Sequence, residues 1–227
     1  MRLHNIQKQY AENTAIAEID THFENNQIHG LLGVNGAGKS TLIKIIMGLV
    51  HASSGYVELA PESDRRQHLS FLPEQANLPL NLSALHLLRF ACRIKGEHES
   101  NAETLLAKAG LKESAWKKQI RTYSKGMRQR TAVAYTLAGT PDWLILDEPM
   151  SGLDVLGRRH ILDLLLEFRQ QGHSILMCSH IVTDIARICD QVHIVSKGKI
   201  VETIAIKDHS IDEALMLENS LASWNQS

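Results

Sequence analysis

The chain has 227 residues, of which 44% are hydrophobic and 22% charged, a composition that can bury a core and excludes a disordered or low-complexity protein. Its 24 basic and 25 acidic side chains give a formal net charge of -1, so the charge of the whole chain provides no field that would attract nucleic acid. Three cysteines are an odd number without disulfide or C-x-x-C spacing, which favours a reducing compartment.

The sequence contains no segment suited to crossing a membrane. About 18 apolar residues would have to run without a charged or polar break, and the most apolar stretch, Leu42 to Val50, is short and contains Lys44. The N-terminus also lacks an apolar core of signal-peptide length. We therefore expect a cytoplasmic chain whose membrane role, if any, comes through a partner at the inner face of the cell membrane.

The predicted elements begin with two strands and then alternate between strands and helices. Leu3 to Gln9 and Ala15 to Phe23 are short, partly alternating runs, which predict antiparallel strands. Beyond them the alternation of short apolar runs with longer helical stretches is typical of an α/β core with a mainly parallel sheet. These runs and stretches are Ile28–Leu32, Ser40–Leu49, Trp143–Leu146, His160–Phe168 and Ser174–Met177.

A stretch between Leu78 and Thr122 has helical spacing in place of the strand signal. Leu82, Leu85 and Leu88 are spaced as on one helix face. This predicts a helical subdomain, at about residues 76 to 140, inserted into a single domain that spans residues 1 to 227.

The strongest motif is G-V-N-G-A-G-K-S-T, from Gly33 to Thr41, which satisfies G-x-x-x-x-G-K-[ST] between a predicted strand and a predicted helix. In such a loop the backbone N–H groups and the helix N-terminus form an anion cradle. We expect Lys39 to reach the β- and γ-phosphates of a nucleotide and the Ser40 hydroxyl to bind Mg²⁺. The full pattern argues against an incidental glycine-rich turn. The other nucleotide-binding residues predicted from the motif are Asn35, Gly36, Ala37, Gly38 and Thr41.

A second motif is the apolar strand from Trp143 to Leu146, which is followed by two carboxylates. Strand ends are where an open α/β sheet presents groups to a ligand. Asp147 is expected to hold hydrated Mg²⁺ and Glu148 to polarise the attacking water, a division of roles that suits phosphoryl transfer. The alternative, a turn that simply begins after a buried strand, is weakened by the phosphate-binding motif upstream.

A third motif is Y-S-K-G-M-R-Q-R, from Tyr123 to Arg130. With it, nearly the whole chain resembles the ATP-binding cassette (ABC) ATPases, because the motif stands where that family has its L-S-G-G-Q signature. The resemblance implies that Ser124 and Gly126 contact the γ-phosphate of an ATP held by a second copy or a homologous partner. Lys125 stands in place of a usual glycine and Met127 in place of the usual glutamine.

Further segments resemble family motifs in the family's order. Ser151–Asp154 looks like the loop that links the two sites of a dimer, and we call it the linking loop. His180, after an apolar strand, looks like the catalytic switch histidine that contacts the γ-phosphate. Tyr10 looks like the aromatic on which adenine stacks, although an aromatic side chain at a strand end is an open alternative.

One motif has two candidate residues. The family has a glutamine after the strand that precedes the helical subdomain, where it contacts Mg²⁺ and the membrane partner. Aligning the segment on Pro73 places Glu74 at that position and Gln75 one residue later. Both are therefore predicted metal ligands, together with Ser40 and Asp147.

The resemblance implies an ATPase that forms a dimer, expected to be a homodimer, around two Mg-ATP and drives separate transmembrane permease subunits. The signature and the F-L-P-E run are most similar to exporter ATPases, including the group that serves copper-site maturation of nitrous oxide reductase. The alternative is a soluble ABC ATPase that acts on nucleic acid or ribosomes. The chain has neither the long coiled coil nor the tandem cassettes of those proteins, so no nucleic-acid partner is expected.

Overall fold

The computed structural model describes residues 1–59 and 68–225, which form nine strands in two sheets. A three-stranded antiparallel sheet has the order β2-β1-β4, and a six-stranded sheet has the order β5-β6-β7-β3-β8-β9. The strands are β1 Arg2–Tyr10, β2 Asn13–His22, β3 Ile28–Leu32, β4 Ser54–Glu58, β5 Leu69–Leu72, β6 Trp143–Asp147, β7 Ser174–Ser179, β8 Gln191–Ser196 and β9 Lys199–Ala205.

Eight α-helices and one short 3₁₀ helix, Ile120–Thr122, complete the described part of the chain. In residues 1–59 and 68–225, none of the helices combines the length and the apolar character that spanning a bilayer requires. The α-helices are α1 Lys39–Ile46, α2 Ala84–Ile94, α3 Asn101–Lys108, α4 Glu113–Trp116, α5 Lys125–Leu137, α6 Val155–Gln170, α7 Val182–Ile188 and α8 Ile211–Asn225.

The six-stranded sheet is parallel except at β9, which pairs antiparallel with β8. Every residue of β3, β6 and β7 is buried, as expected for parallel strands covered on both faces. These three strands are neighbours, so their carboxyl ends meet at one edge, where Leu32 pairs with Ser179 and Asp147 with Cys178. The predicted α/β fold with a separate antiparallel part is confirmed.

The helices α2 to α5 all lie between β5 and β6, where the sequence predicts a helical insertion. Ser83 begins this region as the N-cap of α2, with its hydroxyl accepting from the His86 amide at 3.3 Å. Leu88 and Leu106 belong to the same buried apolar cluster as Leu144 of β6, so the helices pack on the sheet core. The boundaries at residues 76 and 140 stay a prediction.

Two histidines form a buried hydrogen-bonded chain within the six-stranded sheet. His29 bonds to the Glu24 carbonyl at 2.9 Å and to His193 at 3.2 Å, and His193 bonds to the Thr203 hydroxyl at 3.1 Å. With both rings neutral, each ring can donate one proton and accept another, so the chain is fully satisfied. Burial lowers the pKa of both rings, that of His193 to about 3, with the charge of His29 as a further cause.

We expect this pair to make the fold acid-sensitive. A histidine whose pKa is lowered in the folded state stabilises the protein fully above its unfolded pKa near 6.5, and this stability is lost as the pH falls. For His193 alone, the free energy of unfolding should drop by about 2 kcal/mol between pH 7 and pH 5. Urea unfolding at both pH values measures this drop in the free energy of unfolding. The drop should be smaller in His193→Gln than in the parent, and it should be unchanged in His51→Gln, a control at an exposed position. Equal pH dependence in His193→Gln and the parent would contradict this expectation.

Candidate functional site

A cleft of about 240 Å³ lies where the segments that follow β3, β6 and β7 come together. Ten of the residues predicted for the site line this cleft, together with Ala15, which was not predicted. The ten are Asn35, Gly36, Gly38, Lys39, Ser40, Thr41, Glu74, Asp147, Glu148 and His180.

Glycines allow the loop after β3 to pack tightly against its neighbours. Gly38 is the N-cap of α1 and has φ 109°, a conformation that favours glycine. A Cβ at Gly38 would lie 2.6 Å from the Ala15 carbonyl oxygen, and one at Gly33 would lie 2.4 Å from that of Val195. No other residue type fits at either position without a shift of the backbone.

Lys39 extends across this loop and is only 8% exposed. Its ammonium donates hydrogen bonds to the carbonyl oxygens of Gly33 at 2.6 Å and Val34 at 3.0 Å. The loop backbone therefore holds the charge of this lysine beside the N-terminus of α1, which also favours anions.

Asp147 ends β6 and is 7% exposed. Burial raises the pKa of its carboxyl group, and the charges of Glu148 and Glu74 raise it further, while a hydrogen bond from Ser40 and the charge of Lys39 oppose these effects. Three oxygen-bearing side chains, those of Ser40, Glu74 and Asp147, thus share one cleft.

Glu148 and His180 form a close pair across the ends of β6 and β7. Glu148 has φ 53°, and its amide donates to the Cys178 carbonyl at 3.0 Å. Its carboxylate accepts from the His180 amide at 3.0 Å and from His180 Nδ1 at 2.8 Å. Because a carboxylate can only accept, His180 carries its proton on Nδ1 in this contact. The pairing register of the two strands accounts for the meeting of these residues.

The structure separates the two candidates for the metal-contacting position. Glu74 lines the cleft, whereas Gln75 is not among the lining residues.

Two other predicted residues do not line the cleft. Ala37 lies outside the lining and is 4% exposed. Tyr10 is 44% exposed on β1 and is not part of the cleft, and the Lys8 ammonium lies 4.7 Å from the centre of its ring.

Ser124 and Gly126 line a separate cavity of about 380 Å³ at the N-terminus of α5. Ser124 is the N-cap of this helix, and its hydroxyl accepts from the Met127 amide at 3.2 Å. Gly152 and Asp154 of the linking loop line the same cavity. Among the residues that the structure describes, none lines both this cavity and the cleft around Lys39.

Comparison with known protein families identifies the family to which this chain belongs. The family model described as ABC transporter matches residues 16–151, a range that contains the phosphate-binding loop, the signature and the Asp147–Glu148 pair. The chain belongs to the ABC transporter family. It is an ABC ATPase, the class of enzyme that the sequence predicts.

Individual ABC proteins match most of the chain. An uncharacterised ABC transporter ATP-binding protein of Synechocystis sp., sll0415, is 39% identical over 186 residues, which cover 78% of this chain and 52% of that protein. The lantibiotic transport ATP-binding protein SrtF of Streptococcus pyogenes is 32% identical over 204 residues, covering 88% and 89% of the two chains. This chain thus matches about half of the length of sll0415 and nearly all of SrtF.

The same fold occurs in the ATP-binding cassette MJ0796, solved as a dimer in a post-hydrolysis state with ADP and Pi. The TM-score is 0.83 at 24% identity, and the match covers 91% of this chain and 98% of that one. At this level of identity the likeness concerns the fold.

Sequence reasoning missed two features of this ABC ATPase. Ala15 of β2 lines the cleft, but its methyl group carries no chemistry that a motif could reveal. The ion pair of Arg158 with Asp184, whose atoms Nη1 and Oδ2 lie 3.2 Å apart, joins α6 to α7. Both of these residues look like ordinary surface charges in the sequence, so no signal identified the pair.

Proposed function

We propose that two copies of this ABC ATPase close around two Mg-ATP molecules and drive separate transmembrane subunits. The observation that carries the proposal is the separation, within one chain, of the Lys39 cleft from the Ser124 cavity. Each is suited to an anion, since each adjoins the N-terminus of a helix of at least eight residues. A second copy, related by a two-fold axis, brings its Ser124 to the nucleotide at Lys39, and a two-fold axis makes both sites equivalent.

In this proposal the Gly33–Thr41 loop binds the phosphates of ATP. The Lys39 ammonium exchanges its two carbonyl partners for phosphate oxygens, which form stronger charge-assisted hydrogen bonds. Tyr10 provides a stacking surface for the adenine. Ser124 and Gly126 of the second copy complete the contacts to the γ-phosphate.

The cleft fits Mg²⁺, because its candidate ligands are oxygen atoms and the ion prefers such ligands. The hydroxyl of Ser40 and the carboxylates of Asp147 and Glu74 would hold the ion, with the Gln75 amide as the alternative to Glu74. When bound, Mg²⁺ neutralises negative charge on the phosphates. The pKa of Asp147 is raised by burial and by two neighbouring carboxylates, and a bound cation would offset this destabilisation of the charged form.

Hydrolysis needs a group that orients and polarises water beside the γ-phosphate. Glu148 is that group, because its carboxylate can accept a proton from water while His180 fixes its position through two hydrogen bonds. The water oxygen forms the new bond to phosphorus, and the bond to the β-phosphate oxygen breaks to give ADP and phosphate. Loss of the γ-phosphate removes the bridge between the two copies, which then separate.

In this proposal the transport is done by separate membrane subunits, which dock on the helical subdomain between Gln75 and Ser124. SrtF, a lantibiotic transport ATP-binding protein, matches nearly end to end, which supports a transporter. The form of the signature and of the F-L-P-E run favours an exporter. The finer prediction of a role in copper-enzyme maturation rests only on the form of the signature and of the F-L-P-E run.

A membrane-capture experiment tests this assignment against a soluble role. We expect a tagged chain, expressed in its own cells, to purify from detergent-solubilised membranes with a multi-span protein encoded beside it. Deleting the gene of that protein should move the chain to the soluble fraction, and nuclease treatment should have no effect. A chain that stays soluble in both strains and loses its partners on nuclease treatment would support the nucleic-acid alternative instead.

A further inference from the structure

The linking loop Ser151–Asp154 is held on one side by the signature helix α5. The buried Gln129 side chain donates from Nε2 to the carbonyl of Pro149, just before the loop, at 2.8 Å. Lys125 covers Gly152 so closely that a Cβ on this glycine would lie 2.6 Å from the lysine Cδ. The loop therefore follows the position of the helix whose N-terminus carries Ser124 and Gly126.

Arg158 of α6 holds the other side of the same loop. Its Nε donates to the Leu153 carbonyl at 3.4 Å, and its Nη1 donates to Asp184 Oδ2 at 3.2 Å. The planar guanidinium can serve two acceptors in fixed directions, which a lysine cannot do with the same geometry. One side chain thus connects the linking loop to the first turn of α7.

Asp184 lies within the electrostatic influence of both Glu148 and His180. It lies four residues after His180 and is only 7% exposed. Burial raises the pKa of its carboxyl group, and the negative charge of Glu148 raises it further, whereas the charges of Arg158, Arg187 and His180 lower it. Arg158 is the cation paired with this carboxylate at 3.2 Å, so its removal would leave a buried carboxylate near Glu148.

We propose that Arg158 is a positioning residue for ATP hydrolysis, which ties the linking loop to α7 and thereby to His180 and Glu148. The inference rests on the proposed function, because the loop would contact the second cassette only in the closed dimer. Closure of the dimer would hold the linking loop in one position. The loop would then hold the Arg158 side chain through the Leu153 carbonyl, and Arg158 would hold α7, which begins just after His180, through Asp184. Arg158 itself touches neither ATP nor the attacking water.

The test is steady-state ATPase kinetics of the full chain carrying Arg158→Met. We expect kcat to fall by roughly 10- to 100-fold, the range for a catalytic group displaced by about 1 Å, while KM for ATP changes by less than about twofold. Arg159→Met is the matched control, because Arg159 is exposed on the same helix and pairs only loosely with Asp163, with 3.9 Å between Nε and Oδ2. The control should keep the parent kcat.

A double-mutant cycle distinguishes positioning from a general structural effect. Asp184→Ala removes the acceptor, so it should lower kcat, and adding it to Arg158→Met should cause little further loss.

Arg158→Lys keeps a positive charge beside Asp184 and supports folding, but it should still lower kcat, by about threefold or more, because the two-acceptor geometry is lost. This variant keeps the test valid if Arg158→Met does not fold.

The possible outcomes separate this inference from the proposed function. If Glu148→Gln forms no ATP-dependent dimer, the proposed function fails, whatever Arg158 does. If that dimer forms but Arg158→Lys and Arg158→Met both keep the parent kcat, only the positioning role is overturned. Additive losses in the cycle, or an equal loss in Arg159→Met, would also overturn it.

Discussion

Replacing Lys39 by alanine should remove most ATP binding and all measurable hydrolysis. Among the described residues that line the cleft, Lys39 is the only lysine or arginine, and its ammonium is already held over the loop by two carbonyl oxygens. Loss of hydrogen bonds to a charged group costs about 1.5–3 kcal/mol, so the ATP affinity should fall by roughly 10- to 100-fold. Equilibrium binding of a fluorescent ATP analogue, together with phosphate release, measures both effects.

Lys44→Ala is the matched control for this change. Lys44 lies on the same helix but is exposed and outside the cleft, so its loss should leave both binding and hydrolysis unchanged. An ATPase rate in Lys39→Ala equal to that of the parent would contradict the assigned role of the loop.

Glu148→Gln should keep ATP binding, stop turnover and trap a dimer. The glutamine oxygen can still accept from the His180 amide and ring, so the geometry of the pair is preserved, but an amide cannot take a proton from water. Hydrolysis should fall by at least about 100-fold, and with the γ-phosphate intact the two copies should stay together.

Size-exclusion chromatography with light scattering measures this second effect. The Glu148→Gln variant should elute as a dimer with Mg-ATP and as a monomer with Mg-ADP. Glu113→Gln, at an exposed position outside both the cleft and the Ser124 cavity, should behave like the parent. A Glu148→Gln variant that stays monomeric at saturating Mg-ATP would show that the nucleotide does not bridge two copies.

Local motifs allowed much of the cleft to be predicted from the sequence. The Gly33–Thr41 loop follows the buried strand β3, and Asp147 and Glu148 lie at the end of the buried strand β6. Neighbouring parallel strands bring such ends together at one edge of a sheet. His180 was predicted by resemblance, and the register of β6 with β7 places it on Glu148. The ring bonds to that carboxylate, while α7 begins two residues later, at Val182.

Other features depend on long-range packing that the sequence does not display. Helix α6 begins at Val155, earlier than the predicted His160, because Asp154 caps it by accepting from the Gly157 amide at 2.8 Å. The sequence could not show that Glu74 lines the cleft while Gln75 does not, because this depends on how the segment after β5 packs. Arg158 and Asp184 are 26 residues apart, and their pairing is visible only once α6 and α7 pack together.

The central claim is that one phosphate site is built from Lys39 of one copy and Ser124 of another. Mixing two defective variants tests it most directly, both carrying Glu148→Gln so that bound ATP is retained. One also carries Lys39→Ala and the other Ser124→Ala, and each alone should retain no ATP as a dimer. A mixed dimer has one intact composite site, so an equal mixture should form dimers that each retain one ATP. A mixture that retains no more ATP than its two components measured separately would contradict the account.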